Sequence, residues 1–80
     1  MERTEILKKI EAIFQDVLDN EEIELTEESC ADDIEEWDSL SHIQLIVAIE
    51  KYFGVKFTSK EILRWNNVGE MIDSIESHLA

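Results

Sequence analysis

The sequence predicts an all-α fold: a four-helix bundle with three longer helices, one short helix and a long loop after the first helix. The 80 residues contain no Pro and only two Gly, and helix-forming and aliphatic residues dominate. Apolar residues recur at helical spacing, and capping signals separate the helical segments. We expect residues 1–80 to form one domain, whose length leaves room for only a modest core.

The first helix is predicted over residues 3–19, where apolar side chains recur every three or four positions. Its apolar face consists of Ile6, Ile10, Ile13, Phe14, Val17 and Leu18. Residues 20–38 are predicted to be a loop because they contain no base and no sustained apolar period. We expect Ile23, Leu25 and Ile34 to anchor this loop to the core. Trp37 either joins these anchors or shapes the surface at the start of the next helix.

The second helix is predicted from Ser39 to about Phe53, between Asp38 as N-cap and Gly54 as the left-handed residue that ends it. One apolar stripe of this helix, expected to face the core, consists of Leu45, Ile46, Ile49 and Phe53. A second apolar stripe consists of Leu40, Ile43 and Val47. A helix that is apolar on two sides is either deeply buried or offers one side to a partner, and the pattern alone leaves both open.

A short third helix is predicted through about Arg64, because Thr58 and Glu61 have the spacing of a capping box. Asn67 is expected to cap the last helix in a similar way. The buried stripe of that helix is predicted to contain Val68, Met71, Ile72, Ile75 and Leu79. Trp65 is expected to close the core between these two helices.

The formal net charge of -13 comes from 20 acids against 7 bases. Such a chain repels phosphate groups, so nucleic acid and anionic membrane surfaces are not expected as partners. The acidity favours partners with basic docking surfaces, or it serves solubility alone. No apolar run is long enough for a signal peptide or a membrane span, and we expect a monomeric cytoplasmic protein.

Enzyme and metal-site hypotheses find little support in the sequence. A hydrolase would use Ser39, His42 and Asp38 as nucleophile, base and acid, but nothing supplies an oxyanion hole or a substrate pocket. A calcium loop needs a Gly at its sixth position, and the acidic loop has none. We therefore predict no catalytic residue and no specific metal site, with His42 at the surface. The position of Ser39 suits a bound phosphate, yet it equally suits an ordinary first-turn serine.

A longer pattern around Ser39 resembles the acyl carrier protein family. Asp38-Ser39-Leu40 opens an apolar helix, which ends in Glu50-Lys51-Tyr52-Phe53-Gly54-Val55. The resemblance covers nearly the whole chain, including the first helix, the turn at Asp32-Asp33-Ile34 and the last two helices. It implies a protein that performs no chemistry itself and carries acyl intermediates as thioesters on a covalent 4′-phosphopantetheine arm.

The resemblance also implies roles for single residues. Ser39 matches the serine that receives phosphopantetheine from coenzyme A, and Asp38 matches the acid that helps a phosphopantetheinyl transferase to hold Mg²⁺. Positions that touch partner enzymes are matched by Leu40, Ile43, Val47 and Glu50. Residues that would shelter an acyl chain between the second and third helices are Ile46, Ile49, Phe53, Ile62 and Val68. The implied partners are the transferase and acyl-activating, acyltransferase or synthase enzymes.

Two features bear on the pathway. Carriers of fatty acid synthesis usually have acids two and five positions after the serine, where this chain has Ser41 and Gln44. The run Glu36-Trp37-Asp38-Ser39-Leu40 is similar to stand-alone carriers of surface polysaccharide modification and secondary metabolism. Among fatty acid, polyketide, surface polysaccharide and other specialised biosynthesis, the resemblance therefore favours a specialised pathway. A peptidyl or aminoacyl carrier is the main alternative, and an unmodified acidic helical interaction domain is the third.

Overall fold

The computed structural model describes residues 2–79, and this range contains four α-helices and no strand. The helices are α1 (Arg3–Val17), α2 (Ser39–Phe53), α3 (Ser59–Arg64) and α4 (Val68–Leu79). α1 packs against α2 and α4, and α3 contacts α4. The predicted all-α bundle with one short helix is confirmed.

The core consists of side chains that three helices remove completely from solvent. They are Ile6, Ile10 and Phe14 of α1, Leu45 and Ile49 of α2, and Val68, Met71, Ile72 and Ile75 of α4. Burying one such side chain contributes about 1.5–3 kcal/mol relative to leaving it exposed. Leu79 was expected in the same stripe but is 41% exposed. Leu79 is the last residue of α4, one turn beyond Ile75, which is the last buried residue of this helix.

α1 ends at Val17, two residues before the predicted end, because the chain turns there into left-handed backbone. Asp19 has a φ of 52°, a conformation that Asp tolerates better than most residues. The N–H of Asn20 donates to the carbonyl of Gln15 at 3.0 Å, which closes the helix end. α2 ends at Gly54 in the same manner, with a φ of 67°, as predicted.

The loop between α1 and α2 is held down by apolar anchors. Ile23, Leu25, Ile34 and Trp37 are all buried, which confirms the predicted anchoring by the first three and assigns Trp37 to the same role. The loop also contains a 3-10 turn at Ala31–Asp33, which overlaps the turn at Asp32-Asp33-Ile34 that the family resemblance implies. The N–H of Cys30 donates to the Asp33 carboxylate at 3.1 Å and closes this turn.

The loop also covers the beginning of α4 with its own carbonyl groups. The N–H of Val68 donates to the carbonyl of Ser29, and the N–H of Gly69 donates to that of Glu27, both at 2.8 Å. These bonds pair donors that have no acceptor within the helix. A Cβ at Gly69 would lie 3.0 Å from the carbonyl oxygen of Glu27, so this close approach favours glycine.

The connection between α3 and α4 is fixed by a cap and by Trp65. Thr58 Oγ1 accepts from the N–H of Glu61 at 3.2 Å, and the N–H of Thr58 donates to the Glu61 carboxylate at 3.1 Å. The Trp65 Nε1–H donates to the hydroxyl of Ser74 on α4 at 2.8 Å. The predicted capping box and the predicted position of Trp65 between the two helices are both confirmed.

Arg3 connects α1, the loop and α4. Its guanidinium forms ion pairs with Glu27 of the loop and with Asp73 and Glu76 of α4. These hydrogen bonds, led by the one to Glu27, raise the pKa of Arg3 above its ordinary value. All four side chains are partly exposed, so each pair contributes only about 0.2–1 kcal/mol. Their main effect is to hold the loop beside the two helices.

Trp37 fixes the end of the loop through two contacts. Its ring meets the ring of Phe14 edge to face, with centroids 4.9 Å apart. Its Nε1–H donates to Nδ1 of His42 on α2 at 2.9 Å. His42 is therefore half-buried, which is less exposed than its predicted surface position implies, because the Trp37 indole lies against the imidazole. Burial lowers the pKa of His42, and acceptance at Nδ1 requires the neutral ring with its proton on Nε2.

We expect protonation of His42 to destabilise the fold. Because the folded-state pKa lies below the ordinary value of 6.5, the unfolded chain takes up a proton first as the pH falls. The contribution of neutral His42 to the free energy of unfolding is thus complete at higher pH and decreases as the pH falls below 6.5. Urea unfolding at pH 7.5 and pH 5.5 measures this loss. The control is His42→Gln, which does not titrate and whose amide oxygen still accepts from Trp37. An equal change in both proteins would contradict the prediction.

Gly69→Ala tests the contact between the loop and α4. In an open helix position, alanine would stabilise by about 0.5–1 kcal/mol relative to glycine. Here the new Cβ meets the backbone of Glu27, and we expect a net loss of about 1–3 kcal/mol in the free energy of unfolding. Ser77→Ala, at an exposed position of the same helix, should change it by less than about 0.5 kcal/mol. A more stable Gly69→Ala protein would show that the contact is loose.

Candidate functional site

A reciprocal cap between Asp38 and Ser41 fixes the beginning of α2. Asp38 Oδ1 accepts from the N–H of Ser41 at 2.9 Å, and Ser41 Oγ accepts from the N–H of Asp38 at 2.8 Å. The Ser41 hydroxyl also donates to the carbonyl of Glu36 at 2.8 Å, which ties the helix to the loop. The sequence prediction treats Ser41 only as a missing acid. Its spacing of three from the N-cap residue is the signal that would have indicated this role.

Ser39 is the exposed first residue of α2. The unpaired N–H groups of a first helical turn carry partial positive charge, which favours a phosphate nearby by about 0.3–1 kcal/mol. Asp38 is also exposed, and the hydrogen bond from the N–H of Ser41 holds the pKa of its carboxyl below the usual value. A carboxylate that is ionised at neutral pH therefore stands directly before the Ser39 hydroxyl.

A cavity of about 520 Å³ opens beside Ser39. It is lined by Ala31, Trp37, Asp38, Ser39, His42, Trp65, Asn66, Asn67 and Met71. The N–H groups of both tryptophans are already bonded, to His42 and to Ser74, and Asn67 Oδ1 caps α4 by accepting from the N–H of Glu70 at 2.9 Å. The bond between Asn67 and Glu70 confirms the predicted cap of α4. The cavity beside Ser39 is thus lined in part by aromatic side chains whose N–H groups are held by hydrogen bonds.

The second apolar stripe of α2 lies outside the bundle. Leu40, Ile43 and Val47 are 69%, 62% and 44% exposed, which suits a docking stripe and leaves docking itself a prediction. Glu50, the fourth predicted docking residue, is half-buried. Its Oε2 accepts from the N–H of Phe57 at 2.9 Å, so this carboxylate also holds the connection between α2 and α3.

The residues predicted to shelter an acyl chain are not among those that line the cavity beside Ser39. Ile49 and Val68 are fully buried and Ile46 is 8% exposed, whereas Phe53 and Ile62 are half-buried. An acyl chain among them would have to part side chains that now pack at or beside the core. Their role as an acyl shelter stays a prediction.

Two further findings concern the described part of the chain, residues 2–79. None of its helices is long and apolar enough to cross a membrane. Within the same range, no group of three His, Cys, Asp or Glu side chains is arranged to hold a metal ion.

Known proteins resemble this chain over almost its whole length. The family model described as a phosphopantetheine attachment site matches residues 8–75. An acyl carrier protein from Rubrobacter xylanophilus is 36% identical over 78 residues, which cover 98% of this chain and 96% of that protein. An acyl carrier protein from Thermosynechococcus vestitus is 37% identical over 82 residues, which cover 100% of this chain and 99% of that protein.

The fold is shared with a solved structure as well. The solution NMR structure of the holo acyl carrier protein from Geobacter metallireducens matches with a TM-score of 0.86 and 41% sequence identity. The match covers 91% of this chain and 84% of that chain. The chain therefore belongs to the acyl carrier protein family, whose members carry acyl groups on covalently bound 4′-phosphopantetheine and serve enzymes without being enzymes.

Proposed function

We propose that Ser39 is the hydroxyl to which 4′-phosphopantetheine is attached. The observation that carries this proposal is the position of Ser39 as the exposed first residue of α2, at the edge of the cavity. Ser41, two residues further on, is 8% exposed and is occupied by the cap with Asp38. Ser29 in the loop is likewise buried, at 9% exposure. Ser39 is thus the accessible hydroxyl at this end of α2.

A phosphopantetheinyl transferase would attach the arm to Ser39, with coenzyme A as donor and Mg²⁺ as cofactor. The Ser39 oxygen forms a bond to the phosphorus of the phosphopantetheine group and gives up its proton, and adenosine 3′,5′-bisphosphate leaves. Asp38 is exposed and ionised, so it is suited to help hold Mg²⁺ in the transferase complex. The bound arm supplies a terminal thiol that bears the acyl group as a thioester. The other proposed partners are acyl-activating, acyltransferase or synthase enzymes.

The carrier serves a specialised pathway, such as surface polysaccharide modification or secondary metabolism, in preference to core fatty acid synthesis. Support comes from Ser41 and Gln44, which stand where carriers of fatty acid synthesis usually have acids. Ser41 is buried in the cap, so its position offers neither charge nor accessible surface to a partner. Gln44 is exposed and uncharged. We retain the expectation of a cytoplasmic monomer with residues 1–80 as one carrier domain.

Replacing Ser39 by alanine should abolish attachment. Incubation of the protein with coenzyme A, Mg²⁺ and a broad-specificity transferase should add one phosphopantetheine to the wild type, measured by intact-mass spectrometry, and none to Ser39→Ala. Ser59→Ala is the matched control, because Ser59 is also an exposed first residue of a helix. It should be modified as completely as the wild type. An unmodified wild type, with the transferase active on another carrier, would refute the proposal.

Nuclear magnetic resonance can locate the arm and its cargo separately. Attachment of the arm should shift the indole N–H signals of Trp37 and Trp65, which line the cavity beside Ser39. Octanoylation of the arm should then shift the methyl signals of Ile46 and Ile62, if the chain enters between α2 and α3. The methyl signals of Ile23 in the loop serve as the control and should stay in place. Unchanged Ile46 and Ile62 signals after octanoylation would contradict the acyl shelter.

A further inference from the structure

We propose that the outer face of α2 binds partner enzymes as an apolar stripe bordered by cations at its end away from Ser39, so that the partner presents an apolar patch bordered there by carboxylates. This α2 face consists of Leu40, Ile43, Val47, Lys51 and Lys56. The inference rests on the proposed carrier function, because the face begins one residue after Ser39.

Charge is distributed very unevenly along the chain. Residues 39–64, which include the α2 face, contain four bases and two acids, whereas 18 of the 20 acids lie elsewhere. The bases are Lys51, Lys56, Lys60 and Arg64, and the acids are Glu50 and Glu61. The stretch around the α2 face is therefore net positive in a chain whose net charge is -13.

Both acids of this stretch are bonded to their own chain. Glu50 accepts from the N–H of Phe57 at 2.9 Å. Glu61 accepts from the N–H of Thr58 at 3.1 Å and pairs with His78 at 2.9 Å. These bonds occupy acceptor positions of both carboxylates, so the two acids are less available than the bases to groups of a docked partner.

The four bases of this stretch are all exposed. Within residues 2–79, Arg3 is the only Lys or Arg whose side chain forms an ion pair, so the four bases remain available to a partner. Val47 and Lys51 lie one helical turn apart on α2 and share a side of the helix. Val47, Lys51 and Lys56 also line one shallow groove, together with Glu50, whose carboxylate is bonded to the N–H of Phe57. Two cations therefore border the apolar stripe directly.

A partner with an apolar patch bordered by acids complements both the apolar stripe and the two lysines of this face. Leu40 and Ile43 are 69% and 62% exposed, and covering such a stripe removes apolar surface from water. A lysine-rich partner would bring like charges opposite Lys51 and Lys56, whereas carboxylates would pair with them. Charge at the border of an interface chiefly decides which partner is accepted, so the sign of these two residues selects among enzymes.

Two designed helical peptides test the sign of the partner. Both carry the same leucine stripe, bordered by glutamates in one peptide and by lysines in the other. Each is titrated into the unmodified full-length protein at 0.15 M salt, where a screening length of about 8 Å suppresses long-range attraction to the acidic chain. We expect the glutamate peptide to shift the backbone amide signals of Leu40, Ile43 and Val47, and the lysine peptide to shift those of the acidic loop.

Charge reversal supplies the decisive comparison. Lys51→Glu combined with Lys56→Glu should weaken binding of the glutamate peptide to the α2 face about three- to tenfold. Lys8→Glu combined with Lys9→Glu changes the net charge equally at exposed positions of α1 and should alter that binding less than about twofold. Equal binding of both peptides to the wild-type α2 face, or equal effects of the two double variants, would overturn the proposal.

The outcome is separable from that of the Ser39 experiment, because the titration uses unmodified protein. Selective binding of the glutamate peptide together with failure of phosphopantetheine attachment would refute the proposed function and leave the α2 face intact. Complete attachment at Ser39 together with a preference of the α2 face for the lysine peptide would refute this inference alone.

Discussion

The reciprocal cap between Asp38 and Ser41 sets the register of α2, and the geometry of the site follows from that register. The loop that enters α2 is held by Trp37, so a helix that began one residue later would turn each following side chain by about 100° around the axis. In the observed register Leu45 and Ile49 fill the core while Leu40 and Ile43 stay outside. One pair of hydrogen bonds thereby determines which residue stands at the helix start and which side of α2 remains free.

The composition of the loop before α2 limits which interactions can hold it against the helices. Residues 20–38 contain no base, so ion pairs within the loop are excluded and carboxylates repel one another. Buried side chains and backbone carbonyls do the anchoring instead. The carbonyls of Glu27 and Ser29 accept from the beginning of α4, and Arg3 reaches Glu27 from α1. Trp37 is thus fixed at the wall of the cavity beside Ser39, although the segment that carries it has no helix or strand beyond the 3-10 turn at Ala31–Asp33.

Most of the fold could be predicted from the sequence, because its signals are local. The caps at Asp38 and Thr58 and the left-handed Gly54 each depend on residues within three positions. The early end of α1 could not be predicted, because hydrophobic periodicity does not distinguish a helical Asp19 from a left-handed one. The bond between Trp37 and His42 depends on the path of the loop, which follows from contacts with α1 and α4.

The candidate site, like the fold, is only partly predictable from the sequence. The position of Ser39 and the outward stripe of α2 follow from helix phase, which the sequence carries. The cavity does not follow from helix phase, because its walls come from the loop, α2 and the connection after α3. Asn66 and Asn67 enter it from a segment with no periodic pattern. Residues brought together from separate segments become recognisable only when the chain is folded.

Composition describes the whole surface, whereas docking involves one part of it. The net charge of -13 acts on approaching proteins over a distance of about 8 Å at physiological salt. In the proposed docking, direct pairs at the α2 face involve Lys51 and Lys56, and uncharged Ser41 and Gln44 on the same helix add no acid there. Selection among enzymes depends on such a small set of side chains around Ser39, while the arm and the fold are common to the family. On this proposal, exchanging only the charges that border the α2 stripe would redirect the same bundle to other partner enzymes.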